Sequence, residues 1–87
     1  MFVILSYDAE NRRCGKLRKI AKRYLHPVQR SLFQGFLTEK QCRLLKEEIA
    51  GAVDTEKDAV VLYKLPDAGV LRMDEIGTSD LRETDIL

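Results

Sequence analysis

The chain opens on Phe2-Val3-Ile4-Leu5-Ser6-Tyr7, an almost unbroken apolar run with β-branched residues at two positions. Such a run suits a strand buried in the centre of a sheet. Whatever follows must therefore supply neighbouring strands and a layer to cover them. The run ends at Asp8, and Asp8-Ala9-Glu10-Asn11 reads as a loop.

Residues 12–25 switch to helical spacing, with Leu17, Ile20, Ala21, Tyr24 and Leu25 recurring at intervals of three and four. His26-Pro27 stops that helix, because the residue before proline avoids the α region. Residues 26–37 read as extended chain, long enough for two short strands folded at Gly35 or at an earlier bulge. Thr38-Glu39-Lys40-Gln41 is a capping box that opens a second helix carrying Cys42, Leu44, Leu45, Ile49 and Ala52. Residues 58–65 form a further strand, closed by Pro66-Asp67-Ala68-Gly69, and Val70–Met73 reads as an additional short one.

The predicted fold is α+β, a ferredoxin-like β-α-β-β-α-β domain over residues 1–76 with an extra C-terminal strand. That strand has no place in the four-stranded sheet and is expected on a partner subunit's edge. Residues 77–87 are polar and acidic and read as a tail. With 87 residues the chain is one domain of modest core, and a homodimer is the expected way to gain burial. No apolar run approaches the roughly 20 residues that cross a bilayer, and no basic leader precedes the first strand. The cytoplasm is the expected location, with no membrane partner.

Overall charge is near neutral, but it is polarised. Residues 1–46 carry eleven Lys and Arg against three Asp and Glu, a net +8; residues 47–87 carry four against eleven, a net −7. Seven of the cations fall within residues 12–23. On a helix Arg12, Lys16, Lys19 and Arg23 make one stripe, with Lys22 beside it; Arg13 belongs to the same basic run. One reading is a solvated helix face. The other is a contact with nucleic-acid phosphates, favoured because almost no acidic residue interleaves to form helical pairs. The acidic half offers a surface to a basic protein or keeps the chain soluble.

Asp8, just past the central strand, is the candidate catalytic and metal-binding residue. It can equally cap the following helix. A two-fold axis near Tyr7-Asp8 would pair two carboxylates, and paired carboxylates with several waters suit Mg2+. Tyr7 and Phe33 can flank such a site. Cys14 and Cys42 make neither a CxxC unit nor a zinc set, and His26 reads as a turn residue at the helix-to-strand junction rather than a ligand. Glycine-rich phosphate loops and Ser-His-Asp sets are absent from the sequence.

Four features together carry a resemblance. They are the strand ending in Tyr7-Asp8, the basic helix after it, Val28-Gln29-Arg30-Ser31-Leu32-Phe33-Gln34-Gly35, and Asp58-Ala59-Val60-Val61-Leu62-Tyr63. Between about Phe2 and Leu65 the chain resembles the small CRISPR-associated family of spacer acquisition, the second core protein of that system. The resemblance implies a ferredoxin-like homodimer that bridges two dimers of the CRISPR integrase, with a duplex DNA prespacer lying across the assembly. It also implies, for some members, Mg2+-dependent endonuclease activity on RNA, including single-stranded RNA, or on double-stranded DNA, with the aspartate matching Asp8 holding metal at the dimer axis. Arg30 is then expected to join the nucleic-acid contacts and Ser31 to flank the site. The sequence departs from the family pattern at Pro27, where Arg is usual, and at Gln34, where Glu is usual. The readings to weigh are an adaptor with a nuclease function, and a toxin-like ribonuclease or RNA-binding module outside CRISPR.

Overall fold

The computed structural model describes residues 1–67, 69, 71, 72, 74 and 76. The elements are β1 (Phe2–Asp8), α1 (Asn11–Tyr24), β2 (His26–Gln29), β3 (Leu32–Phe36), α2 (Glu39–Ala52) and β4 (Ala59–Leu65). This is the α+β, β-α-β-β-α-β arrangement predicted. The four strands form one sheet in the order β2-β3-β1-β4. β1 runs antiparallel to both β3 and β4 and so occupies an inner position, as its apolar run requires. Of the extra strand expected over Val70–Met73, Leu71 and Arg72 are described and are not in a strand; Val70, Met73 and the tail 77–87 lie outside the described residues.

Strand side chains alternate between faces, and this sorts β1 into two sets. Val3, Leu5 and Tyr7 join a buried core with Leu17, Ile20 and Ala21 of α1 and Cys42, Leu45 and Ile49 of α2. Both helices therefore cover the same face. Phe2, Ile4 and Ser6 belong to the other face, with Phe36 edge-on to Phe2 at 5.1 Å between ring centroids. Across from them in the β4 register stand Leu65, Tyr63 and Val61. Among the described residues no helix covers this second face; Phe36 and Val61 are each 45% exposed and Tyr63 56%.

Local chemistry sets the element ends. α1 stops where Leu25 turns extended, its N–H still bonded to the Ala21 carbonyl, and Pro27 prevents continuation. The predicted capping box opens α2: Gln41 N–H donates to Thr38 Oγ1 at 3.1 Å, and Thr38 N–H donates to Gln41 Oε1 at 2.9 Å.

Of the two places expected for the fold of the hairpin between the helices, the earlier holds and Gly35 does not. The chain reverses at Arg30-Ser31, not at Gly35, and the irregularity of register lies between Pro27 and Gln29. Gly35 sits inside β3, paired with Val3. A Cβ there would lie 3.2 Å from Leu25 Cδ2 and 3.6 Å from the Leu25 Cα, so the glycine lets β3 pass close beneath the end of α1. His26 is the first residue of β2, opposite Gln34, rather than a turn residue.

Candidate functional site

Asp8 ends β1 opposite Ala59 and is exposed. It does not cap α1. The N-cap is Glu10, which makes no side-chain cap bond. The local alternative for Asp8 therefore falls away.

Asp8 lies on a cleft of about 520 Å³, together with Tyr7, Ala9, Asn11, Cys14, Gly15, Arg18, Arg30 and Ser31. One wall is the first half of α1 and the other is the β2–β3 turn. Main-chain bonds hold that turn in place. The Arg30 carbonyl accepts from the Tyr7 hydroxyl at 3.2 Å and from Arg18 Nη1 at 3.0 Å, and the Ser31 carbonyl accepts from Tyr7 N–H at 3.1 Å. Tyr7 stacks on Phe33, and the Arg18 guanidinium lies 5.6 Å from the Phe33 ring centre. Burial pushes the Tyr7 phenol above its ordinary pKa, Cys14 adds to the rise, and Arg18 opposes it. Tyr7 is thus a neutral, anchored wall of the cleft. Phe33 is fully buried behind it. Cys14 and Cys42 are both free thiols, with Cys14 donating to the Ala9 carbonyl at 3.4 Å.

The fold sorts the predicted cations into different kinds. Arg13 does not extend a solvated stripe. Its side chain is 15% exposed and its guanidinium grips Asp58, whose side chain is fully buried, through Nε–Oδ2 at 2.5 Å and Nη2–Oδ1 at 2.8 Å. Asp58 also accepts from the main-chain N–H groups of Glu10 and Asp54. These bonds, that from Arg13 foremost, hold the Asp58 carboxyl far below the ordinary carboxylate range despite burial, and the same bond raises the Arg13 pKa. Arg23 bonds Glu48 of α2, which also accepts from the Tyr24 hydroxyl. Arg12 meets Glu10 at 3.1 Å. Lys16, Lys19 and Lys22 are exposed along α1, and Arg30 is exposed at the turn.

The structure therefore brings Asp8, Tyr7, Arg30 and Ser31 to one cleft, with Lys16, Lys19 and Lys22 on the helix that forms its wall. It directs Arg13 and Arg23 into intramolecular pairs. Sequence reasoning missed Asn11, Gly15 and Arg18 as cleft residues. Their i, i+4, i+7 spacing was the available signal. Asp58 carried no such signal, being one acidic residue ahead of an apolar strand.

Among the described residues no group of three or more His, Cys, Asp or Glu is placed to hold a metal ion. No helix among them is long and apolar enough to cross a membrane.

The comparisons with known proteins agree with this architecture. A family model described as CRISPR associated protein Cas2 matches residues 1–73. The CRISPR-associated endoribonuclease Cas2 2 of Moorella thermoacetica is 42% identical over 89 residues, spanning 95% of this chain and 97% of its own. The CRISPR-associated endoribonuclease Cas2 of Thermotoga maritima is 34% identical over 77 residues, 88% of each chain. A crystal structure of a Cas2 protein superposes with a TM-score of 0.83 at 30% identity, covering 91% of this chain and 88% of that one. The Cas2 of Streptococcus pyogenes gives 0.80 at 23% identity over 88% and 100%, a likeness of fold. By sequence, by element order and by sheet topology, the chain belongs to the Cas2 family of CRISPR-associated proteins.

Proposed function

We propose that the chain works as a homodimer that grips nucleic-acid backbones and hydrolyses phosphodiester bonds at paired Asp8 carboxylates with Mg2+. The observation that carries this reading is the cleft itself. An exposed carboxylate stands at the end of an inner strand, with Arg18 and Arg30 beside it and three exposed lysines along the adjoining helix. Relatives bear the name endoribonuclease, which supports the same chemistry.

The dimer reading rests on the sheet face that no helix among the described residues covers. Even-numbered residues of β1 belong to it, and Asp8 continues that set. Exposed Phe36, Val61 and Tyr63 give the face an apolar character that a second copy would bury. Two copies meeting there bring their Asp8 side chains toward a shared axis.

One chain supplies a single carboxylate that suits a metal here, since Glu10 is engaged by Arg12, Arg13 and Lys57. Mg2+ keeps most of its waters and takes one or two carboxylates, so a pair of Asp8 residues fits it. When bound, the ion supplies Lewis-acid polarisation of the phosphodiester. Arg30 and Arg18 neutralise phosphate charge at the cleft, and Lys16, Lys19 and Lys22 extend the grip along the helix without regard to base.

The adaptor role belongs to the same reading: the dimer bridges two integrase dimers in the cytoplasm and carries duplex prespacer DNA. The polarity of charge supports it, with a basic half for the duplex and an acidic half for a protein. Membership of the Cas2 family gives the reading as a toxin-like or RNA-binding module outside CRISPR no support.

The test compares the wild type with Asp8→Asn on single-stranded RNA and duplex DNA in Mg2+. The expected outcome is loss of at least about 100-fold in cleavage with duplex affinity and fold retained. Undiminished cleavage by Asp8→Asn overturns the metal assignment. Duplex binding without cleavage by either protein makes the fold a scaffold alone.

A further inference from the structure

Glycine inside a helix is costly, because it gives up more backbone freedom on folding than any other residue. Gly15 is the fifth residue of the fourteen-residue α1 and is exposed. Its φ is not in the left-handed region, and a Cβ built on it would meet no atom within 4 Å. Neither a turn nor internal crowding accounts for it. Gly51 of α2 has equally open surroundings, but it lies in the last turn of its helix and lines no part of the cleft.

Gly15 also lines the cleft with Asp8, Asn11, Arg18 and Arg30. Asn11, Gly15 and Arg18 are one helical turn apart in succession and share a face. The row reads as an amide, a gap and a cation. The cation is preset, since the Arg18 guanidinium is held by the Arg30 carbonyl and lies against Phe33. Glycine, lacking a Cβ, is the residue that lets a ligand approach a backbone closely.

We propose that Gly15 is the seat of a sugar-phosphate backbone. The missing side chain lets one strand lie flush against α1, with its phosphates between Asn11 and Arg18 and within reach of Arg30. The seat brings a phosphodiester to Asp8. Gly15 is a positioning residue, and its role rests on the reading that this cleft takes nucleic acid.

The experiment compares Gly15→Ala, Gly15→Gln and Gly51→Ala with the wild type. Melting temperature, sedimentation, and affinity for a labelled single-stranded RNA and a labelled DNA duplex are measured. Both alanine variants are expected to raise Tm, by about 4 °C, as removal of a helical glycine should. Gly15→Ala weakens binding about tenfold and Gly15→Gln further, as expected when a strand can no longer dock closely, while Gly51→Ala binds as the wild type does. Stability and affinity then move in opposite directions, which a merely structural role does not produce. Unchanged affinity in both Gly15 variants overturns the proposal. Loss of affinity accompanied by a change in oligomeric state also overturns it, and places a second copy against the gap. A wild type that binds neither nucleic acid overturns the underlying reading, a result separate from the other two.

Discussion

Arg13 and Asp58, 45 residues apart in sequence, form a two-pronged ion pair that ties the first turn of α1 to the start of β4. The carboxylate is out of contact with solvent and accepts two main-chain N–H bonds besides. Asp58 directly precedes Ala59, which pairs with Asp8. The pair therefore braces the strand end that carries the candidate catalytic residue.

Removing the cation should be worse than removing the pair. Arg13→Ala leaves a charged carboxylate without its main partner, the most damaging way to break such an arrangement. Its Tm is expected to fall further than that of Lys16→Ala, Lys19→Ala or Lys22→Ala, and further than that of an Arg13→Met, Asp58→Leu double variant. Thermal melts of the five proteins check the order.

The same pair predicts an acid limit. The folded-state pKa of Asp58 lies below its unfolded value, so the pair's contribution is complete above the unfolded value of about 3.9 and is lost as pH falls below it toward the folded one. Chemical denaturation at a series of pH values should show wild-type stability dropping from about pH 4 downward. Asp58→Asn, less stable at neutral pH, should show a shallower drop.

Phosphate contacts are countable through salt. Replacing Lys16, Lys19 and Lys22 together with Gln should flatten the slope of log affinity for duplex DNA against log salt by about 2 to 3, near 0.9 for each lost phosphate contact. Arg13→Gln should leave that slope unchanged, because its charge is spent within the fold. Anisotropy titrations over a series of salt concentrations decide between the two.

Gly35 tests the packing of the hairpin. With Leu25 Cδ2 only 3.2 Å from where its Cβ would be, Gly35→Val should cost about 1–3 kcal/mol through overpacking, and Gly35→Ala less. Urea unfolding of both variants gives the comparison.

Much of this architecture is written locally. The inner strand β1, the helical spacing of residues 12–25, the Thr38 capping box and the final strand each follow from neighbours within a few residues. The hairpin does not. Its reversal at Arg30-Ser31 carries only Ser31, the weakest of the residues that mark turns, and the irregularity after Pro27 breaks the alternation that would have shown two strands. What bends the chain there is tertiary, through Tyr7 and Arg18. The cations of α1 pose a similar problem. Arg13 and Lys16 look alike in a string of basic residues, and only folding, by bringing Asp58 to one of them, separates a brace from a surface charge. The place of Asp8, in contrast, was legible because the end of a buried strand is itself a local signal.

The hold on the β2–β3 turn is made through the Arg30 carbonyl oxygen, an atom every amino acid shares. The side chain at position 30 takes no part in its own anchorage. The position is thus a socket: the mount is common to all occupants and the occupant is interchangeable. An engineered residue, a photo-crosslinker or a fluorophore carrier can stand there facing whatever enters the cleft, on a turn held as firmly as the native one.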